Sequence, residues 1–226
     1  MSGHDLPRGG INRRGFLKGS VLLGTGVALG GLHLGTAGSA QALAEPAIDS
    51  VNDWGAVSPR GPITVLDQRP DKILVHHTAG SNSTDYSKSH AHAVARQIQQ
   101  GHIAQGWSDS GQHFTISRGG YAMQGRHNSL GALSSGTKSV VGAHCPGQNS
   151  IAVGIENEGT YTSVEPPTAL YDKLVLLCAY ICDQYDIHSD RIYGHRDYFA
   201  TVCPGDKLYA MLPKLRDDVH NLRMSD

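Results

Sequence analysis

The run Gly194-His195-Arg196-Asp197-Tyr198-Phe199-Ala200-Thr201-Val202-Cys203-Pro204-Gly205-Asp206 constrains the fold more than any other stretch of this 226-residue chain. His195 and Cys203 stand eight positions apart across a loop that ends in a Pro-Gly turn. That spacing can set an imidazole nitrogen and a thiolate sulfur on one borderline-soft cation, for which zinc is the natural choice, one ion per chain. Upstream, the apolar, β-branched run Ile73-Leu74-Val75 ends in His76-His77, so a rigid strand can supply a third donor. The fold must therefore carry the end of that strand to the loop 195–203. Three protein donors leave a fourth position open for water or substrate, which distinguishes a catalytic zinc from a closed structural one.

The N-terminus follows a different logic. Asn12-Arg13-Arg14-Gly15-Phe16-Leu17-Lys18 is similar to the twin-arginine export motif, and a Gly-rich apolar run from Ser20 to Ala37 leads to small residues at Ala40, Ala42 and Ala44. Residues 1–44 are read as an export signal cleaved between Ala40 and Glu45, which makes the mature protein extracellular or cell-wall located. Glycines and His33 interrupt the run too often for a spanning helix, so no stable membrane insertion is expected. Without residues 1–44, 15 Lys/Arg face 19 Asp/Glu, a formal charge of −4. That balance argues against a nucleic-acid partner. The length left suits a single domain, and a monomer is expected.

Beyond the signal, 45–69 is an irregular Pro/Gly-rich segment and 70–226 the folded domain. Strands are expected at Ile73 to Val75, Gln112 to Ile116, Ile151 to Glu156 and Ile192-Tyr193. Ser89 to Gln100 reads as a helix with Ala91, Val94, Ala95 and Ile98 on one face, His90 and His92 being solvated or capping. Thr168 to Tyr185 is a long amphipathic helix after Pro166-Pro167, and Pro213 divides or begins the last helical region. Residues 126–150 are the longest irregular stretch, a functional loop by its length. The alternation gives an α/β (α+β) domain with a central mixed β-sheet flanked by helices. Of the four cysteines, Cys178 and Cys182 lie on one helix face as core residues, or one of them pairs with Cys145.

VHHTAG, GWSDSGQHF, NSIAVGIENEGTY and GHRDYFATVCPGD, in that order, resemble the zinc-dependent N-acetylmuramoyl-L-alanine amidases of the peptidoglycan recognition protein type, over about residues 70–210. The resemblance implies zinc on His76, His195 and Cys203, with His77 turned to the opposite face of its strand. It implies a peptidoglycan or muropeptide substrate, cut between N-acetylmuramic acid and L-alanine. Where many relatives carry a catalytic tyrosine, this chain has Gln112, which cannot titrate but can hydrogen-bond the substrate. Glu156 in Gly154-Ile155-Glu156-Asn157-Glu158-Gly159 matches a glutamate of the intracellular anhydro-muropeptide amidases, and is read as the general base and acid. Glu158 is read as a surface or outer carboxylate. Thr201 stands where some relatives have lysine, and its hydroxyl can donate to an oxyanion. Arg126, His127, His144 and Asn149, in or beside the Gly-rich loop, are groove candidates for sugar or peptide contacts. The alternative is a non-catalytic peptidoglycan-binding module. Retention of Cys203 favours the enzyme, because some binding-only relatives lack that ligand.

Overall fold

The computed structural model describes residues 45–225; the twin-arginine motif, the apolar run and the cleavage positions lie outside them. Strand β3 (Lys72–His77) is buried at every position, as its apolar run requires. It pairs in parallel with β7 (Ala152–Asn157) on one side and β8 (Ile192–Gly194) on the other. Beyond β7, β4 (Phe114–Ile116) pairs in parallel, β5 (Ala122–Gln124) pairs antiparallel to β4, and β1 (Ile48–Asp49) closes the sheet in parallel with β5. Parallel strands of one sheet need crossover connections. Helices α1 (Lys88–Ala104) and α3 (Thr168–Tyr185) supply them, running between β3 and β4 and between β7 and β8. Short α2 (Ser129–Ser135) and α4 (Asp206–Ala210), C-terminal α5 (Leu212–Ser225) and a separate two-stranded sheet of β2 (Val65–Leu66) and β6 (Ser139–Val140) complete the mixed α/β domain.

The two faces of the sheet carry different chemistry because side chains alternate along a strand. Ile73 and Val75, Phe114 and Ile116, and Val153 and Ile155 pack on the face covered by α3 and α5, with Leu170, Leu174, Leu177, Ile181, Leu215 and Val219. Each such aliphatic side chain contributes about 1.5–3 kcal/mol when fully buried. Leu74 and Ala152 point the other way, against Cys145. His76 and Glu156 continue that second face by the two-residue period. The register sets His76 opposite Glu156, and Thr115 of β4 opposite Glu156 in turn. One row across three strands therefore holds His76, Glu156 and Thr115.

Several expectations need correction. Residues 126–150 are not irregular throughout, since α2 and β6 fall there, and β5 is an additional strand. Both ends of α2 turn on left-handed residues, Asn128 (φ 70°) and Gly136 (φ 65°), which break up any periodic signal in seven residues. Residues 45–69 contribute β1 and β2, and the Trp54 indole N–H donates to the Gln124 carbonyl (2.8 Å). The strand expected from Gln112 begins at Phe114. His90 and His92 are only partly solvated and do not cap a helix: they pair with Glu158 (2.7 Å) and Asp49 (2.8 Å). Glu158, 4% exposed, is no surface carboxylate; it also accepts the Arg118 N–H (2.8 Å) and ties α1 to the β4–β5 turn. The long helix matches Thr168–Tyr185, and α5 carries Pro213 in its first turn. All four cysteines are free and buried, Cys178 and Cys182 within the main core. Among the described residues no helix is long and apolar enough to cross a membrane.

Candidate metal centre and active-site cleft

His76 leaves the end of β3 on the face away from α3, while His77 turns its ring to the other side, where its Nδ1 accepts the Tyr161 N–H (3.3 Å). Parallel pairing of β8 with β3 sets Val75 beside Gly194, so His195 follows at the same end of the sheet. Its ring centroid lies 4.4 Å from that of His76. The loop then returns: Arg196 N–H donates to the Cys203 carbonyl (3.1 Å), and the His77 N–H donates to Cys203 Sγ (3.3 Å). Gly205 holds the turn with φ +90°, and a Cβ there would stand 2.4 Å from the Tyr161 backbone, so the CPG turn fits only with glycine at its third position. The result brings one donor atom each from His76, His195 and Cys203 within 4.8 Å of one another.

The protonation states of this cluster suit a cation. Burial, followed by the neighbouring His195, His113 and His77, holds the His76 imidazolium well below its ordinary range. Burial lowers His195 as well. Both rings are neutral near pH 7 and keep a lone pair, and His195 Nε2 is buried without a hydrogen-bond partner. Burial pushes the Cys203 thiol up to about 12, against the opposing His77 N–H, so a cation at the site is what would make the thiolate the stable form. Two imidazoles and a sulfur with one unpartnered buried nitrogen are a donor set that fits zinc.

A cavity of about 300 Å³ opens over these donors, lined also by His102, Trp107, Gln112, Ala143, His144, Glu156, Thr201 and Val202. Burial alone pushes the Glu156 carboxyl up to about 7, poised to exchange a proton near neutrality. Gln112 is 1% exposed, donates to Thr115 Oγ1 (2.8 Å) and leaves its own Oε1 without a partner. Thr201 Oγ1 accepts the Cys203 N–H (3.2 Å), which leaves its hydroxyl proton to donate elsewhere. The wall opposite was not legible in the sequence. His102 stacks on Trp107 (centroids 4.5 Å) and accepts the Gly111 N–H on Nδ1 (3.0 Å), so its proton sits on Nε2. Burial and then Arg126 lower His102 to about 4.

Seven of the ten candidate residues therefore surround one cavity: His76, Gln112, His144, Glu156, Thr201, His195 and Cys203. Arg126, His127 and Asn149 do not line it. Arg126 donates to the Ser110 carbonyl (2.9 Å), and His127 pairs with buried Asp109 (2.8 Å). Asn149 Oδ1 accepts the N–H groups of His144 (2.8 Å) and Cys145 (2.9 Å), which shapes the loop that carries His144.

The same segments align with known proteins. The N-acetylmuramoyl-L-alanine amidase family model matches residues 66–206, which include every residue of the donor cluster. Peptidoglycan recognition protein 1 of Bos indicus is 33% identical over 168 residues, covering 73% of this chain and 82% of that protein. Among solved structures, a mutant of Drosophila PGRP-LB in complex with tracheal cytotoxin has a TM-score of 0.63 at 28% identity, covering 73% of this chain and 92% of the other. The N-acetylmuramoyl-L-alanine amidase LysC from Clostridium intestinale has a TM-score of 0.61 at 26% identity, with 78% and 99% covered. Ordered motifs, fold and donor geometry agree, and the chain belongs to the N-acetylmuramoyl-L-alanine amidase family, Amidase_2.

Proposed function

We propose that this protein is a zinc-dependent peptidoglycan amidase that hydrolyses the bond between N-acetylmuramic acid and the L-alanine of the stem peptide. The observation that carries the reading is the sharing of one cavity by three metal-type donors and the Glu156 carboxyl, whose only marked influence is burial. Amidase-named and muropeptide-bound relatives support the substrate class. Zinc held by His76, His195 and Cys203 would supply Lewis-acid activation of a carbonyl and of water. Glu156 takes a proton from the attacking water and returns it to the amide nitrogen as the C–N bond breaks. The products are a lactyl carboxylate and a free L-alanine amine. The Thr201 hydroxyl donates to the carbonyl oxygen as charge builds there, and the Gln112 amide fixes the substrate beside it.

Mass spectrometry of defined muropeptides incubated with the zinc-loaded mature protein tests this. The expected result is loss of the intact peptide from muramic acid, about one zinc per chain by elemental analysis, and loss of most zinc and turnover in Cys203→Ser. Zinc and activity both retained by Cys203→Ser would remove the ligand assignment. A second reading, a peptidoglycan-binding module without chemistry, draws on the likeness to a recognition protein. It predicts muropeptide binding with no cleavage product at all. Export through the twin-arginine route belongs to the same proposal: Arg13→Lys with Arg14→Lys should leave the precursor in the cytoplasm, since the receptor reads the guanidinium pair. Normal processing of that double variant would overturn the secreted location.

A further inference from the structure

His144, a candidate for substrate contact, lines the cavity, but its Nδ1 is engaged by His76 and its Nε2 is buried without a partner. His76 turns Nδ1 toward the Cys203 sulfur at 3.8 Å, and its other nitrogen, Nε2, lies 3.1 Å from His144 Nδ1. The two rings meet edge to face with centroids 5.0 Å apart. A neutral imidazole carries one proton, so the partner of one nitrogen decides which nitrogen is left as a lone pair. If His144 Nδ1 accepts from His76 Nε2–H, His76 Nδ1 is free and faces the other donors.

The surroundings of His144 are built to hold it in that attitude. A Cβ on Gly154 would stand 2.6 Å from His144 Cγ and 2.7 Å from its Nδ1. One on Gly142 would stand 2.6 Å from Cδ2. The ring is thus cradled between two glycines, one in the loop and one in β7. His113 closes the cradle with a centroid 5.4 Å away, and its own tautomer is fixed because Nδ1 accepts the Gly154 N–H (2.9 Å) and Nε2 donates to the Val140 carbonyl (2.8 Å). Asn149 fixes the backbone of His144 from the other side. Such close fitting around one ring restricts its rotation, and a restricted acceptor is what orients a metal ligand.

We infer that His144 is a positioning residue for His76: it accepts the Nε2 proton and thereby presents His76 Nδ1 as the donor atom of the metal centre. The inference rests on the zinc reading above. It assigns to the glycines at 142 and 154 the purpose of leaving room for that ring, and to the Gly-rich loop a task in ligand orientation rather than in substrate contact alone.

Two measurements test it. In the wild-type protein, long-range ¹H–¹⁵N correlation of the histidine rings should show His76 protonated on Nε2 and bare on Nδ1; a proton on Nδ1 overturns the inference without any variant. Chelator competition should then show zinc bound 10- to 100-fold more weakly in His144→Ala, the cost typical of losing a ligand's outer partner. His144→Asn sets Oδ1 in the place of Nδ1, keeps an acceptor, and should recover most of that loss. Equal weakening in both variants would mean that ring shape rather than the acceptor matters, and zinc affinity within threefold of wild type in His144→Ala would mean that neither does; each result overturns the assignment. If His144→Ala does not fold, the asparagine variant and the wild-type tautomer decide. Wild-type protein that takes up no zinc at all defeats the metal reading itself, and is told apart from the other failures by elemental analysis of the wild type alone.

Discussion

Two buried polar clusters in this molecule contain the same kinds of side chain and use them in opposite ways. The carboxylate of Asp109, which is fully buried, has both oxygens satisfied: Oδ1 accepts Gln99 Nε2 (2.8 Å), while Oδ2 accepts both the N–H (2.7 Å) and Nδ1 (2.8 Å) of His127. Gln99 in turn accepts the Val57 N–H (2.9 Å) and donates to its carbonyl (2.8 Å), so α1 is laced to the N-terminal segment. Around His76 the atoms are left over. His195 Nε2 and Gln112 Oε1 are buried without partners, and burial dominates Glu156. A buried polar group without a partner costs free energy, so a fold keeps several in one cavity only where something else completes them. The Asp109 cluster is scaffold and the His76 cluster is site.

Glu156→Gln should break that division most severely. Turnover on muropeptide should fall roughly 10²- to 10⁴-fold, the range for a lost general acid–base group, with zinc content unchanged. Near-normal turnover would take the proton transfer away from Glu156. The same variant tests the buried carboxyl by stability. Its folded value of about 7 lies above the ordinary 4.5, so the protonated form is favoured in the folded state. In the metal-free protein Glu156 therefore contributes stability that is lost as pH rises from about 4.5 to 7. The buried histidines act in the opposite direction in both proteins, so the stability difference between wild type and Glu156→Gln in urea titrations should change across that range and level off above 7.

Asp109→Ala probes the other side of the comparison. It removes the acceptor of one Gln99 Nε2 proton and of the His127 N–H and Nδ1, and unfolding free energy should drop by about 1–3 kcal/mol. Zinc stoichiometry and turnover per folded molecule should stay near wild type, measured at a temperature where the variant is folded. Loss of zinc there would show that the two clusters are one unit.

The site cluster was legible where a strand or a turn announced it. An apolar run ending in His76 and a histidine and cysteine flanking a loop before Pro204-Gly205 are local patterns with few alternative explanations. Glu156 was legible through its match to a glutamate of the intracellular anhydro-muropeptide amidases, and the structure then sets it opposite His76 in register. The loop 126–150 gave no such guide. Arg126, His127, His144 and Asn149 look alike in sequence, but whether a polar side chain faces a cavity, a buried carboxylate or another histidine depends on partners far away in the chain, such as Asp109 and His76. His102 and Trp107 were missed for the same reason: a stacked pair at the C-terminal end of α1 becomes a cavity wall only after β4 and β8 are in place. Short elements suffered too, since β5 has three residues and α2 seven, too few for a period to show.

Gln112 stands between the two clusters in character, and Gln112→Leu gives the smallest effect and the finest test. Its amide has spent Nε2 on Thr115 and kept Oε1 free at the cavity. Leucine is close in size, loses one hydrogen bond and at the same time removes an unpartnered acceptor, so unfolding free energy should move by no more than about 1 kcal/mol. If the free oxygen serves the substrate, KM for muropeptide should rise about tenfold, the equivalent of about 1.4 kcal/mol, with kcat and zinc content little changed. A variant that loses stability and keeps its KM would place Gln112 with Asp109 as scaffold. One that keeps stability and raises KM would place it in the site.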